Sequence, residues 1–304
     1  MNYNRDKAEF VWTNEELRDL ENIPGGDMPG DKIIISTDHV QKARIIMPRL
    51  LELLMPAIDE SPYRRAVVAV CGVSGVGKSE VASLLSFYLN SMNIGSYILS
   101  GDNYPHRIPK YNDAERLMVF RRSGIKGLIC HGKYTEECRS ILKELQKSGN
   151  DLNPDCFKNY PWLSIYLDAG RDGLRNYLGT KNEIDFDELT EIVSQFKNGA
   201  NRIFLKRMGR EETELWYDCV DFSDINVLVI EWTHGNSPNL QGVDIPIMLS
   251  GTPRETLEHR KSRKRDEDVD SQFTNIVLDI EQEILVSQES RAKLIVSGSG
   301  EILP

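Results

Sequence analysis

The chain has 304 residues, 40% of them apolar, which is ordinary for a packed globular protein and enough for one large α/β domain or two modest ones. Its 37 basic and 47 acidic residues give a formal charge of −10, which would repel a phosphate backbone and argues against nucleic acid as a main partner. The five cysteines include no C-x-x-C pair, so neither a disulfide framework nor a zinc site is indicated. The N-terminus lacks an apolar signal core, and no apolar run approaches the roughly 18 residues that span a bilayer. The expectation is a cytoplasmic protein with no membrane partner.

In chain order, the first segment to about Asp31 is polar, and its cluster Ile23-Pro24-Gly25-Gly26-Asp27-Met28-Pro29-Gly30 can continue neither helix nor strand. It reads as an irregular arm. Thr37-Asp38 offers helix-capping chemistry, and Val40, Ala43, Ile46, Leu50, Leu51 and Leu54 then recur at helical spacing up to Ile58. Arm and amphipathic helix together form an expected N-terminal extension, 1–62, ahead of a main domain, 63–304.

Ala66-Val67-Val68-Ala69-Val70-Cys71 is a continuous apolar run suited to a strand buried on both faces of a parallel sheet. A helix follows around Val81–Leu85, and further buried strands are expected at Ser96–Leu99, Asn226–Ile230, Ile245–Leu249 and Lys293–Val296. Strands alternating with helices predict an α/β fold, with three α/β/α layers around a mainly parallel, doubly wound sheet. Between 103 and 168 the pattern is mixed and is taken as an inserted cap. It has helical signals near Asp113–Arg121 and Thr135–Leu145, and its first strand-like run is Leu163–Leu167. After a charged stretch, Ile276, Leu278, Ile280 and Ile284 predict a helix packed on the sheet.

The run Gly72-Val73-Ser74-Gly75-Val76-Gly77-Lys78-Ser79 matches G-x-x-x-x-G-K-[ST] and stands between a predicted strand and a predicted helix, the context this phosphate-binding loop requires. Its glycines let successive backbone N–H groups face phosphate oxygens, Lys78 reaches the terminal phosphates, and the Ser79 hydroxyl suits Mg²⁺. ATP and Mg²⁺ are thereby implied. In a parallel sheet, ligands bind beyond the carboxyl ends of the strands. Asp102 and Glu231 each follow a core strand, so Asp102 is assigned to the acceptor as general base and Glu231 to the metal.

In these pieces the chain resembles the uridine kinase and phosphoribulokinase family of P-loop kinases. Leu99-Ser100-Gly101-Asp102-Asn103-Tyr104 is similar to that family's strand-end acid followed by an aromatic, which implies a catalytic Asp102 with Tyr104 at the substrate. Ile184-Asp185-Phe186-Asp187, leading to Phe196-Lys197-Asn198-Gly199, resembles a stretch whose first acid contacts the acceptor, implying that role for Asp185. Arg210-Glu211-Glu212-Thr213 and Val227-Leu228-Val229-Ile230-Glu231 are likewise similar to family segments, which implies a substrate role for Arg210. Residues 254–270 look like the family's lid, with Arg260, Arg263 and Arg265 as the candidates to close over the phosphates.

The chain departs from the family at Glu231-Trp232, where a small residue is usual, and in the length of the segment after Asp102. His106 and Arg107 open that segment, so the expected acceptor is a polar or anionic small molecule, and uridine and cytidine are expected to be poor substrates. Ser100-Gly101-Asp102-Asn103 also resembles a segment of adenylylsulfate kinases, although no F-I-[ST]-P counterpart follows. The leading expectation is an ATP-dependent small-molecule kinase acting on a hydroxyl, with a uridine/nucleoside or adenylylsulfate kinase as alternatives. A regulatory P-loop NTPase switch is the alternative of another class.

Overall fold

The computed structural model describes Ile23, residues 25–263 and residues 271–303, except for the side chains of Ser262 and Arg263. The chain forms two compact units. One comprises Met1–Tyr104, Phe186–Thr252 and Ser287–Pro304; the other comprises Pro105–Asp185 and Pro253–Val286.

The first unit is built on β1 (Ala66–Gly72), which is buried along its whole length, as an unbroken apolar run requires of a strand covered on both faces. It pairs in parallel with β5 (Val227–Glu231) on one side and β6 (Ile245–Leu249) on the other. β2 (Ser96–Ser100) extends the sheet beyond β5, and β7 (Leu294–Val296) extends it beyond β6. β8 (Ile302–Leu303) closes that edge antiparallel to β7. The order is β2-β5-β1-β6-β7-β8, so the first strand is central and its partners return from later in the chain through crossovers. Helices flank this mainly parallel sheet, and the fold is the three-layer α/β/α arrangement of P-loop NTPases.

Among the described residues, three helices pack on the strands of this unit. α1 (Thr37–Glu60) starts one residue before the expected position because Ser36, not Thr37, is the N-cap. Ser36 and His39 cap each other reciprocally, His39 taking the place usually held by Glu or Gln in such a box. The apolar stripe of α1, from Val40 to Ile58, is buried against α2 (Lys78–Ser91) and the strands β1, β6 and β7. The helix is thus an added core layer, and each large side chain it buries contributes about 1.5–3 kcal/mol before ordering entropy. α6 (Phe186–Lys197) packs on β1 and on β3 (Arg202–Met208). β3 forms an antiparallel hairpin with β4 (Leu215–Asp221), absent from the expected strands because β4 is exposed along nearly its whole length and carries no buried alternation.

The second unit is helical: α3 (Pro109–Cys130), α4 (Glu136–Lys147), α5 (Leu163–Arg175), α7 (Leu257–Arg263) and α8 (Gln272–Ser287). The run Leu163–Leu167, strand-like in sequence, is the start of α5. Leu163, Tyr166, Leu167, Gly170 and Leu174 are its buried residues, a helical spacing that a five-residue apolar window cannot display. Phe120 of α3 meets Tyr166 edge-on at 6.0 Å between ring centroids. α8 also corrects an expectation. Its Ile276, Val277 and Ile280 join this helical core with Phe120 and Leu163, whereas the sequence pattern predicted packing on the sheet. Among the described residues, no helix is long and apolar enough to cross a membrane.

Candidate active site

The phosphate-binding loop leaves the buried carboxyl end of β1 and enters α2, whose first residue is Lys78 and whose N-cap is Gly77. Gly77 has φ 93°, a left-handed conformation that costs other residues energy, and a Cβ there would lie 2.8 Å from the His39 ring of α1. Both constraints select glycine. Lys78 is half-buried, and its Nζ donates to the Val73 carbonyl at 3.1 Å across the loop.

Strand register brings the acidic groups to this loop. Val70 of β1 lies opposite Glu231 of β5, and Glu231 lies opposite Ser100 of β2, so the ends of β5 and β2 stand in line beside β1, two residues before it ends at Gly72. Glu231 is buried. The Ser79 hydroxyl donates to its Oε2 at 3.1 Å, and the Ser100 hydroxyl donates to its Oε1 at 2.9 Å. Burial is the largest influence on its carboxyl group, followed by the negative charge of Asp102, and together they push it up to about 7 against Lys78 and the two hydroxyls. Asp102 itself is exposed, in the 3-10 turn Gly101–Asn103 that directly follows β2.

Trp232 occupies the place where the resembled family has a small residue. Gly101 makes room for it, since a Cβ at Gly101 would overlap the indole. The indole also packs against Phe186 at 5.3 Å and His234 at 5.2 Å between ring centroids.

Lys78, Ser79, Asp102 and Glu231 therefore come together in the first unit. Tyr104 and Arg210 lie in that unit too. Tyr104 is fully buried, with the Lys206 ammonium 5.9 Å from its ring centroid, while Arg210 is exposed on the β3–β4 turn, its backbone N–H donating to Glu214 at 2.8 Å. Asp185, His106, Arg107 and Arg260 belong to the second unit. There Asp185 is half-buried, His106 is exposed with a ring nitrogen 3.0 Å from the Lys181 carbonyl, and Arg107 donates to the Tyr177 hydroxyl at 3.4 Å. Arg260 is buried and donates to the Pro253 carbonyl at 2.9 Å. The Arg263 side chain and all of Arg265 lie outside the described residues.

Sequence reasoning missed Ser100 and Asp27. Ser100 is a serine before Gly-Asp, with no signal of its own until the register sets it beside Glu231. Asp27 sits in the Pro/Gly cluster taken as an irregular arm, and its carboxylate is buried behind the Asp102 turn.

The oxygen set at the loop suits a hard divalent cation. Mg²⁺ prefers a few carboxylate or hydroxyl oxygens together with substrate phosphates, and Ser79 and Glu231 already place such oxygens within 3.1 Å of each other at the start of α2.

No family model matches the sequence. The chain is 39% identical over 254 residues to the bifunctional alpha-galactosidase/sucrose kinase of Mediterraneibacter gnavus, a match covering 84% of this chain and 22% of that protein. It is 38% identical over 65 residues to the adenylyl-sulfate kinase of Erwinia tasmaniensis, covering 20% of this chain and 32% of the relative. The chain thus spans about a fifth and a third of the lengths of these two relatives. Among solved structures, the D-glycerate 3-kinase of Cryptococcus neoformans var. grubii is similar with a TM-score of 0.46 and 12% identity, over 89% of this chain and 99% of that one. These relatives are kinases of small metabolites, and adenylylsulfate kinases are among those that the loop after β2 resembles.

Proposed function

We propose that this chain, a P-loop NTPase by fold with small-metabolite kinases among its relatives, transfers the γ-phosphoryl group of ATP to a hydroxyl of a sugar. The observation that carries this reading is the bridge from Ser79 through Glu231 to Ser100, with Asp102 exposed on the next turn. It supports a phosphate cradle, an oxygen pair for a cation and an exposed carboxylate at one edge of the sheet. A binding module would need only the first of these.

The chemistry follows from those positions. Backbone N–H groups of the loop and the α2 N-terminus hold the phosphates, and Lys78 swings from the Val73 carbonyl to the terminal phosphates. Ser79 and Glu231 would hold Mg²⁺, which neutralises charge on the phosphate oxygens. Asp102 orients the acceptor hydroxyl and takes its proton as the new O–P bond forms, while the bridging P–O bond breaks and its electron pair leaves with ADP. Acceptor recognition is assigned to Asp185, Arg210 and Tyr104 on resemblance, and to His106 and Arg107 on their place after the Asp102 turn. Arg260 is assigned to the phosphates on the same resemblance.

A sugar is preferred over other acceptors because the relative matched along most of this chain is named for sucrose phosphorylation, whereas the adenylyl-sulfate kinase match spans 20% of it. An ADP-release assay with sucrose, other sugars, glycerate, uridine, cytidine and adenylylsulfate tests this. The expected result is that sucrose or another sugar exceeds both nucleosides and adenylylsulfate in kcat/KM by about tenfold or more, the scale of one net hydrogen bond of about 1.4 kcal/mol. Preference for uridine or adenylylsulfate would overturn it.

A further inference from the structure

The arm before α1 bears directly on the proposed base. Gly26 lies against the ends of β2 and β5, where a Cβ on it would be 3.5 Å from Ile98 and 3.9 Å from Glu231 Oε1. The next residue, Asp27, has a side chain only 7% exposed and grips both ends of the turn that carries Asp102. Its Oδ1 accepts from the Ser100 backbone N–H at 2.7 Å, just before the turn, and from Asn103 Nδ2 at 3.1 Å, at its last residue. Its Oδ2 accepts from the Tyr97 hydroxyl at 3.1 Å and from Arg207 Nη1 at 2.9 Å.

The grip is braced from behind. Arg207, itself buried, also donates to the Tyr97 hydroxyl at 2.9 Å and to Asp218 at 3.1 Å, which ties the arm to the β3–β4 hairpin. Asn103 completes the frame, its Oδ1 accepting from the Met208 N–H at 3.1 Å. Burying a carboxylate costs several kcal/mol unless its oxygens are satisfied, and here four donors converge on it. Burial still pushes the Asp27 carboxyl up to about 6, against the opposing charge of Arg207. Asp102, between the two gripped residues, remains exposed.

We propose that Asp27 is a positioning residue for phosphoryl transfer: by clamping Ser100 and Asn103 it fixes the turn that presents Asp102, which makes the N-terminal arm a working part of the acceptor side of the site. The proposal rests on Asp102 as the base. A displacement of about 1 Å in a catalytic group can cost on the order of 10²-fold in rate, so a turn held at both ends is worth a buried charge.

The test is a double-mutant cycle in the full chain, with kcat, KM for ATP and melting temperature measured for each variant. Asp27→Ala is expected to lower kcat about 10- to 100-fold while KM for ATP moves less than about threefold, the split of a residue that acts through the base. Asp27→Asn, which keeps one carbonyl acceptor, should recover part of the loss. In an Asp102→Asn background, Asp27→Ala should cost little further, because the group it positions is gone. If Asp27→Ala does not fold, Asn103→Ala removes one end of the clamp and leaves the Asp27–Arg207 pair, and the same split and the same non-additivity are expected. Unchanged kcat in the foldable variant, or full additivity with an impaired Asp102→Asn enzyme, overturns the positioning role alone. A fully active Asp102→Asn enzyme overturns the base assignment and the positioning role with it.

Discussion

The two units bury carboxylates in opposite ways. In the helical unit Asp151 receives both arms of the Arg121 guanidinium, each at 2.9 Å, and the Tyr166 hydroxyl at 2.8 Å. Glu183 receives Arg116 Nε at 2.6 Å, Asn112 at 3.2 Å and the Gly179 N–H at 2.7 Å. In the sheet unit Glu231 is as deeply buried, yet its hydrogen bonds come from two hydroxyls, and a second acid stands nearby. A buried carboxylate neutralised by a guanidinium is a strut, complete without a ligand. One held by hydroxyls beside another acid retains unmet demand for positive charge, which a cation on the phosphates would satisfy. Asp27 stands between these cases, its Oδ2 paired to Arg207 and the Tyr97 hydroxyl while its Oδ1 accepts from Ser100 and Asn103 at the Asp102 turn.

The contrast can be broken by substitution. Lys78→Ala should abolish phosphoryl transfer in a product assay while leaving the melting temperature near wild type, since the ammonium is a half-buried group bonded to one carbonyl. Near-normal turnover would remove the site from the reaction. Asp102→Asn should lower kcat by about 10²- to 10³-fold with nucleotide affinity retained, as calorimetry with an ATP analogue would show. An equal loss of affinity would make Asp102 a metal ligand.

Arg121→Met addresses the strut. It leaves a fully buried Asp151 without its guanidinium, and the expected cost is roughly 3 kcal/mol in chemical denaturation, the lower end for a broken buried pair because Arg121 is itself 27% exposed. Activity per folded molecule should be unchanged.

The smallest effect is in pH dependence. The Glu231 carboxyl is raised from 4.5 to about 7 in the folded chain, so between those values the folded state keeps a proton that the unfolded state has lost. Ligand-free stability should therefore fall as pH rises through that window, and Glu231→Gln should flatten the decline in thermal melts. Parallel melting curves for the two proteins would contradict the account of that charge.

Much of the sheet unit was legible in sequence because its signals are local. The loop glycines, Lys78 and Ser79 are contiguous, and strand-end placement puts Asp102 and Glu231 on one edge once a parallel sheet is inferred. What was not legible depends on contacts distant in sequence. Ser100 gains its role from strand register, and Asp27 reaches Arg207 across 180 residues. In the helical unit, five apolar residues at the start of α5 fit strand and helix equally, and α8 carries an apolar face that any core could take up. The tryptophan after Glu231 read as a departure, but Gly101 supplies the space for it.

The proposed transfer of a phosphoryl group from ATP to a sugar hydroxyl at Asp102 leaves a distinct phosphorylated product. ³¹P NMR of the protein incubated with ATP, Mg²⁺ and sucrose or another accepted sugar tests it most directly. A phosphomonoester resonance that grows with ADP and is nearly lost in Asp102→Asn is expected. Growth of inorganic phosphate alone, at the same rate with or without sugar, would contradict it and identify a nucleotide hydrolase of the switch type.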